Sequence, residues 1–219
     1  MPTGFWDSLN PAARFIEWIQ PKHVLDIGIG NGRMGFLARE YGDKEGIERW
    51  RPGKQIVDGI EGYAPYLGPL QKAIYDRILV GEARELLPTL TERYELAIAA
   101  DILEHFDHGS GLEFLTAALS AADVLLVSTP SFFMEQQSEA NPLENHRSFW
   151  SLEALRDANA GYVEAGPMSN FALFGDAEII VAYAAGVERR PTWKDWLVPP
   201  ELCRLIRETR ARAHRGTRP

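Results

Sequence analysis

A short apolar strand followed by a glycine-rich turn constrains the fold of this chain more than any other feature. Residues 24–35 read VLDIGIGNGRMG, in which Gly28, Gly30 and Gly32 occupy alternate positions shortly after Asp26. Glycine adopts positive φ freely and leaves main-chain N–H groups open to a ligand, because it has no Cβ. A strand, a glycine turn and a following helix therefore predict an α/β domain that binds a nucleotide at this turn.

Two nucleotide-binding motifs fit this turn. Gly30, Gly32 and Gly35 satisfy G-x-G-x-x-G, the dinucleotide fingerprint, although that frame leaves Asp26 without a role. The spacing D-x-G-x-G-x-G resembles the first motif of class I S-adenosylmethionine (SAM)-dependent methyltransferases. The resemblance implies that Asp26 meets the amino group of the methionine moiety, and that the glycines pass close to the ribose. A nicotinamide-dependent oxidoreductase and a turn without a ligand remain alternatives.

Composition bounds the domain organisation. A chain of 219 residues predicts one globular domain with an appendage. No apolar run approaches the ~20 residues of a membrane span, and the N-terminal residues MPTGFWDSLN do not form a signal peptide. Cys203 is the only cysteine, which excludes an internal disulfide and a cysteine metal cage. We therefore predict a cytoplasmic protein without a metal site.

Charge is distributed unevenly along the chain. The net charge of −8 argues against general binding to nucleic acid. Residues 187–219 nevertheless contain nine Lys and Arg against four Asp and Glu. We predict a domain at 1–186 and a basic, helical tail at 187–219 that docks on its own domain or on a second copy, as in a homodimer. The alternative is an anion contact for a phosphorylated acceptor or RNA.

Strands and helices alternate through the predicted domain. Helices are expected from Pro11 onward and at 31–41, 66–75 and 111–121, and strands at 22–27, 55–60, 78–80, 94–100 and 123–128. A last pair of strands, 161–168 and 177–183, is expected to form a hairpin, and the polar residues 42–54 an insertion. Continuous apolar strands between helices indicate a parallel sheet covered on both faces. The pattern resembles the methyltransferase fold, an α/β three-layer Rossmann-like sandwich. Its seven-stranded, mostly parallel sheet ends in an antiparallel C-terminal hairpin.

Acidic residues follow the second and third predicted strands, where the resemblance places further cofactor contacts. It implies that Glu61, next to Gly62, accepts both ribose hydroxyls. It also implies that Glu82 accepts from the adenine amino group, with Gly81 before it and the Ala83 amide facing a ring nitrogen. A solvated loop glutamate at Glu61, and a charge at a helix N-terminus at Glu82, are the alternatives.

The fourth predicted strand ends in DILEHF, which resembles the fourth motif of many methyltransferases. Asp101 and Ile102 would lie beside the sulfonium, and His105 would face the acceptor. A second histidine, His146, lies in the polar segment 136–150. That segment resembles the N-x4-H-R-S-x-W string of a group of bacterial methyltransferases. The alternative for His146 is a role in capping the following helix.

The predicted activity is transfer of a methyl group from SAM to an oxygen atom of a small or carbohydrate-like acceptor. A hydroxyl acceptor must lose its proton, and His105 and His146 are the candidate bases, with Asp101 or Glu104 orienting one of them. A SAM-binding partner protein without catalytic activity is the alternative from another class.

Overall fold

The computed structural model describes residues 4–42 and 55–188. The strands are β1 (His23–Ile27), β2 (Ile56–Glu61), β3 (Arg77–Val80), β4 (Tyr94–Ala100), β5 (Ala122–Pro130), β6 (Tyr162–Ala165) and β7 (Ser169–Gly175). The helices are α1 (Leu9–Ile19), α2 (Arg33–Gly42), α3 (Pro69–Ile74), α4 (Ala83–Leu86), α5 (His108–Ala121), α6 (Leu152–Asp157) and α7 (Ala177–Glu188). Short 3-10 turns occur at Trp6–Ser8, Ala64–Tyr66, Leu87–Thr89, Leu103–His105 and Pro142–Glu144. One compact unit ends at Tyr183. The predicted insertion, apart from Gly42, and the predicted tail beyond Glu188 lie outside the described residues.

The seven strands form one sheet in the order β3-β2-β1-β4-β5-β7-β6. Strands β1 to β5 are parallel, whereas β7 runs antiparallel to both β5 and β6. The predicted fold class is therefore confirmed. The chain moves outward from β1 to β3 and then returns to β4 beside β1. This reversal opens a crevice at the carboxyl ends of β1 and β4, where α/β sheets bind ligands.

Both faces of the sheet are buried, which explains the apolar sequences of the central strands. Leu25 in β1 and Ala97 in β4 belong to one buried cluster with Phe114 of α5. Their neighbours Val24 and Leu96 are equally buried. Successive strand residues point to opposite faces, so apolar layers cover the sheet on both sides. No helix among the described residues has the length and apolar character needed to cross a membrane.

The prediction for the last strand is wrong. Residues 177–183 form the first turns of helix α7, and the seventh strand is Ser169–Gly175. Gly175 has a φ of +112° at the end of β7, and the Asp176 carboxylate accepts from the Glu178 and Ile179 amides at 2.9 and 3.0 Å. An Asp that binds the amides two and three residues later begins a helix, whatever the apolar content that follows. The hairpin itself is present, with its turn at 166–168.

The predicted helix at 66–75 is shorter than expected. Ala64–Tyr66 form a 3-10 turn, and α3 begins only at Pro69, after Gly68 as its N-cap. Proline is favoured in the first turn of a helix and disfavours helical geometry in the residue before it. The Gly68-Pro69 pair therefore separates the two pieces.

Candidate active site

A cavity of about 450 Å³ lies where β1, β2 and β4 end. It is lined by eleven of the thirteen predicted site residues, namely Asp26, Gly28, Gly30, Glu61, Gly62, Glu82, Ala83, Asp101, Ile102, His105 and His146. Gly32 and Gly81 are not among its lining residues. The sites predicted for donor and acceptor thus share one cavity.

The turn after β1 has a geometry that only glycine adopts readily. Gly28, Gly30 and Gly32 have φ values of +76°, +47° and +80°. The Gly28 amide donates to the Ile60 carbonyl at 2.8 Å, which fixes the turn to the end of β2. A Cβ on Gly28 would lie 2.1 Å from Cδ1 of Ile102. The turn therefore touches the segment that follows β4. Gly32 is needed for packing instead, because a Cβ there would meet the Ile74 side chain at the end of α3.

Asp26 is buried beneath this turn. Its Oδ2 accepts from the Gly35 amide at 2.9 Å and from the Tyr75 hydroxyl at 2.5 Å. Burial raises the pKa of Asp26 to about 6, and the nearby Glu61 carboxylate adds to this, while both hydrogen bonds oppose it. The carboxylate lines the cavity and holds the start of α2 in place.

Glu61, the last residue of β2, is oriented by backbone amides at both oxygens. Oε2 accepts from the Gly30 amide at 2.9 Å and Oε1 from the Tyr63 amide at 2.8 Å. Burial raises the pKa of Glu61, and the charge of Glu144 contributes. A carboxylate has about four acceptor positions, so these two bonds leave capacity for ligand hydroxyls.

Glu82 occupies the N-cap of α4. Its Oε1 accepts from the Arg84 amide at 3.4 Å and from the Arg84 Nε at 3.2 Å. These contacts agree with the alternative prediction for Glu82, in which it is a charge at a helix N-terminus. Glu82 and Ala83 nevertheless line the cavity. Gly81 donates to the Glu61 carbonyl at 3.0 Å and thereby ties the third strand's end to the second.

Asp101 has a φ of +56°, which is uncommon for a residue with a side chain. Ser128 donates to its Oδ1 at 3.2 Å, and Arg33 donates to its Oδ2 at 3.3 Å. Burial raises the pKa of Asp101, while the Arg33 charge opposes this effect. Arg33 also donates to the carbonyl oxygens of Gly4 and Phe5, at 2.6 and 3.3 Å. One arginine therefore joins the fourth strand's end to the N-terminal segment.

The N-terminal segment forms part of the cavity wall, since Gly4 and Phe5 line it. A Cβ on Gly4 would lie 1.5 Å from Oδ2 of Asp101. Farther along, the Asp7 carboxylate accepts from the amides of Met168 and Ser169 at 2.8 and 3.0 Å. The segment is thus held to the site at one end and to β7 at the other.

Two histidines and a buried glutamate lie together beyond β4. The imidazole centroids of His105 and His146 are 5.0 Å apart. One ligand atom from each histidine and one carboxylate oxygen of Glu104 lie within 4.8 Å of one another. Nδ1 of His105 is 3.3 Å from the Asn145 carbonyl oxygen, and Nδ1 of His146 is 2.7 Å from that of Met134. The structure therefore brings together the two candidate bases.

The surroundings of His105 disfavour its protonation. Burial and the neighbouring His146 lower its pKa to about 4, and the carbonyls of Asn145 and Asp101 oppose the shift. The imidazole is neutral at pH 7 and able to accept a proton, but it is a weak base. His146 does not cap α6, because the hydroxyl of Ser151 does so by accepting from the Ala154 amide at 3.1 Å.

Polar side chains from the segment after β5, together with Tyr66, line a further part of the cavity. Tyr66 donates to Oε1 of Glu144 at 3.2 Å and accepts from Asn141 at 3.4 Å. Gln136 and Arg147 also line this part. Trp150, at the end of the segment, lies in the buried core instead.

The comparisons with known proteins bear on the fold. No protein-family model and no curated protein sequence matches this chain. Among solved structures, it is similar to the N-terminal domain of EvdMO1 in the presence of SAH and D-fucose, at a TM-score of 0.53 and 14% identity over 78% of this chain and 82% of that one. The chain has the methyltransferase fold. An O-methyltransferase family protein from Burkholderia thailandensis is similar at a TM-score of 0.50 and 12% identity, over 77% of this chain and 55% of that one.

Several residues that line this methyltransferase-fold cavity were not predicted from the sequence, among them Arg33, Gly4, Phe5 and Tyr66. Arg33 was passed over as a residue of the helix that follows the glycine turn. Gly4 and Phe5 precede every recognised motif. No sequence signal reveals Gly4 and Phe5, because their contacts with Arg33 depend on the path of the N-terminal segment in the folded chain.

Proposed function

We propose that the protein is a SAM-dependent methyltransferase that acts on an oxygen atom of a small or carbohydrate-like acceptor. One observation carries this proposal. A single cavity is lined both by the glycine turn with Glu61, which suits a nucleoside, and by His105 and His146, which suit proton transfer. A dinucleotide fingerprint gives no role to the pair of histidines or to Asp26.

The cationic groups of the donor would be held by side chains of opposite charge. Asp26 is buried and lines the cavity, and its carboxylate would attract a cationic amino group bound there. Glu61 is held by two backbone amides, and it therefore presents its remaining acceptor positions to ribose hydroxyls without a loss of side-chain freedom. Ile102 lies against the glycine turn and offers an apolar surface to the adjoining methyl and sulfur atoms.

Methyl transfer then requires little beyond positioning and removal of one proton. The acceptor oxygen attacks the methyl carbon, the carbon–sulfur bond breaks, and its electron pair returns to sulfur. The hydroxyl proton passes to a histidine, and His105 is neutral at pH 7 because of its lowered pKa. Holding the reactants in line supplies several kcal/mol of the rate enhancement.

The acceptor side supports a polar, hydroxylated molecule. Tyr66, Gln136 and Asn141 line the cavity there and offer donors and acceptors suited to sugar hydroxyls. A methyltransferase-fold domain of similar structure was crystallised in the presence of D-fucose, which agrees with this class of acceptor. A cytoplasmic location and a homodimer formed through residues 187–219 stay predictions.

Titration calorimetry with SAM and with NAD tests the proposal. We expect SAM to bind, and the substitution Glu61→Gln to weaken binding by about 10- to 100-fold, because a charged acceptor of hydrogen bonds is lost. Glu153→Gln, on the exposed first turn of α6, is the matched control. An acceptor screen that follows SAH release, with sugars included, then tests catalysis. Binding of NAD but not SAM would contradict the proposal, and binding of SAM without turnover on any acceptor would favour a non-catalytic partner protein.

A further inference from the structure

The cluster of Glu104, His105 and His146 has the composition of a metal site, although the sequence analysis predicted none. A ligand atom from each lies within 4.8 Å of the other two. Ligands about 2.1 Å from a common ion are about 3.0 to 3.5 Å apart, so the three atoms need to approach by at most about 2 Å. His146 lies on the segment after β5, outside the regular helices and strands, and its side chain is only partly buried.

The hydrogen bonds of the two imidazoles prepare them to bind a cation. Each Nδ1 faces a backbone carbonyl oxygen, at 3.3 Å for His105 and 2.7 Å for His146. A carbonyl only accepts, so these contacts require the proton on Nδ1 and leave a lone pair on Nε2. Metal-binding histidines typically donate their second ring N–H to a carbonyl or carboxylate in this way.

Glu104 is a buried acid that lacks a cationic partner among the described residues. Its side chain is 2% exposed, and its Oε2 accepts from the Thr129 hydroxyl at 3.1 Å. In residues 4–42 and 55–188, no Lys or Arg forms an ion pair with Glu104. A divalent cation bound by Glu104 would stabilise the ionised form of this buried side chain.

The geometry points to a site for a divalent first-row transition-metal ion, bound by Glu104, His105 and His146 and open toward the acceptor side of the cavity. Two imidazoles with one carboxylate suit Mn²⁺, Fe²⁺, Co²⁺, Ni²⁺ or Zn²⁺, whereas Mg²⁺ and Ca²⁺ prefer oxygen ligands. The site is distinct from the glycine turn and Glu61, which belong to the proposed donor site.

The role of the ion rests on the proposed function. A bound ion would lower the pKa of a coordinated acceptor hydroxyl, so the proton would pass to solvent water instead of to a histidine before the oxygen attacks the methyl carbon. Ligation of the acceptor would thus take over the removal of its proton. The histidines then act as ligands that position the acceptor.

Cobalt titration of the full chain tests the site with the metal alone. The protein is treated with a chelator and titrated with CoCl₂, and bound Co²⁺ is followed by its visible absorption. We expect one nitrogen-ligated Co²⁺ per chain. His105→Ala, His146→Ala and Glu104→Gln should each weaken binding by at least about 10-fold. His23→Ala is the matched control, because His23 is exposed at the opposite end of β1.

Two results would overturn the inference: no cobalt binding by the wild type, or equal affinity in His146→Ala and His23→Ala. If Glu104→Gln fails to fold, His146→Ala still decides, because its side chain lies on a partly exposed segment. Calorimetry with SAM on the chelator-treated protein separates the two proposals. Binding of SAM without cobalt leaves the methyltransferase function and removes the metal. If cobalt binds and the variants weaken its binding as expected, but SAM does not bind, the metal site stands and the methyltransferase function is contradicted.

Discussion

Replacing Asp26 by Asn is expected to stabilise the protein at neutral pH and to weaken its binding of SAM. Both donors to Asp26, the Gly35 amide and the Tyr75 hydroxyl, meet the same oxygen. The amide oxygen of Asn can accept both, so the substitution removes a buried charge without removing these hydrogen bonds. The effect on stability should therefore come from ionisation alone.

The magnitude follows from the pKa of Asp26, which burial raises from 3.8 to about 6. A difference of about two units corresponds to ~3 kcal/mol, at about 1.4 kcal/mol per unit. Between these two pKa values the folded protein binds more protons than the unfolded chain, so the free energy of unfolding falls as pH rises. The contribution of Asp26 is complete below about pH 4 and lost above about pH 6. The Asp26→Asn variant has no ionisable group at this position, so its free energy of unfolding does not fall in this way as pH rises.

Urea unfolding at about pH 4.5 and about pH 7.5 measures this difference. Over that interval the variant should gain about 2 kcal/mol relative to the wild type. Asp157→Asn, an exposed position at the end of α6, should run parallel to the wild type. If the free energy of unfolding changes equally with pH in Asp26→Asn and in the wild type, the argument from burial is refuted. Calorimetry at pH 7.5 should show SAM bound at least about 10-fold more weakly, because a charge-assisted contact is lost. Unchanged affinity would leave Asp26 a purely structural role.

Two further substitutions probe the walls of the cavity. Gly28→Ala should cost about 1–3 kcal/mol of stability in urea unfolding and should weaken SAM binding, because φ is +76° and the new Cβ would lie 2.1 Å from Ile102. Gly109→Ala, in α5 with its nearest neighbouring atom at 3.4 Å, is the neutral control, and equal behaviour of the two would contradict this account. Arg33→Ala should speed proteolytic cleavage near Gly4 and lower SAM affinity several-fold, since charged hydrogen bonds are lost. Unchanged cleavage would show that Arg33 does not hold the N-terminal segment.

The order of the strands was predictable up to β6, and the reason is visible in the core. The central strands are apolar on both faces because helices cover both, and that produces continuous apolar runs. The same criterion failed at residues 177–183, where an apolar run forms a helix. The decisive signal there is Asp176, which binds the amides that begin α7. Local capping chemistry overrides apolar composition at this position.

The site was predictable where a single stretch of chain builds it. The glycine turn and the acids at strand ends are local patterns, and eleven of the thirteen site residues predicted with the resemblance to methyltransferases line the cavity. The sequence analysis named Glu104, His105 and His146 as candidates for proton transfer, but their arrangement as three potential metal ligands could not be predicted in that way. It depends on the path of the segment after β5, whose backbone amides at Arg147 and Ser148 donate to the Glu104 carbonyl at 2.8 and 3.1 Å.

The position of Gly4 has a practical consequence. Its backbone lies so close to Asp101 that no side chain fits there, and its carbonyl is bound by Arg33. A substitution at position 4 would therefore displace the N-terminal segment from the cavity wall, which Gly4 and Phe5 line.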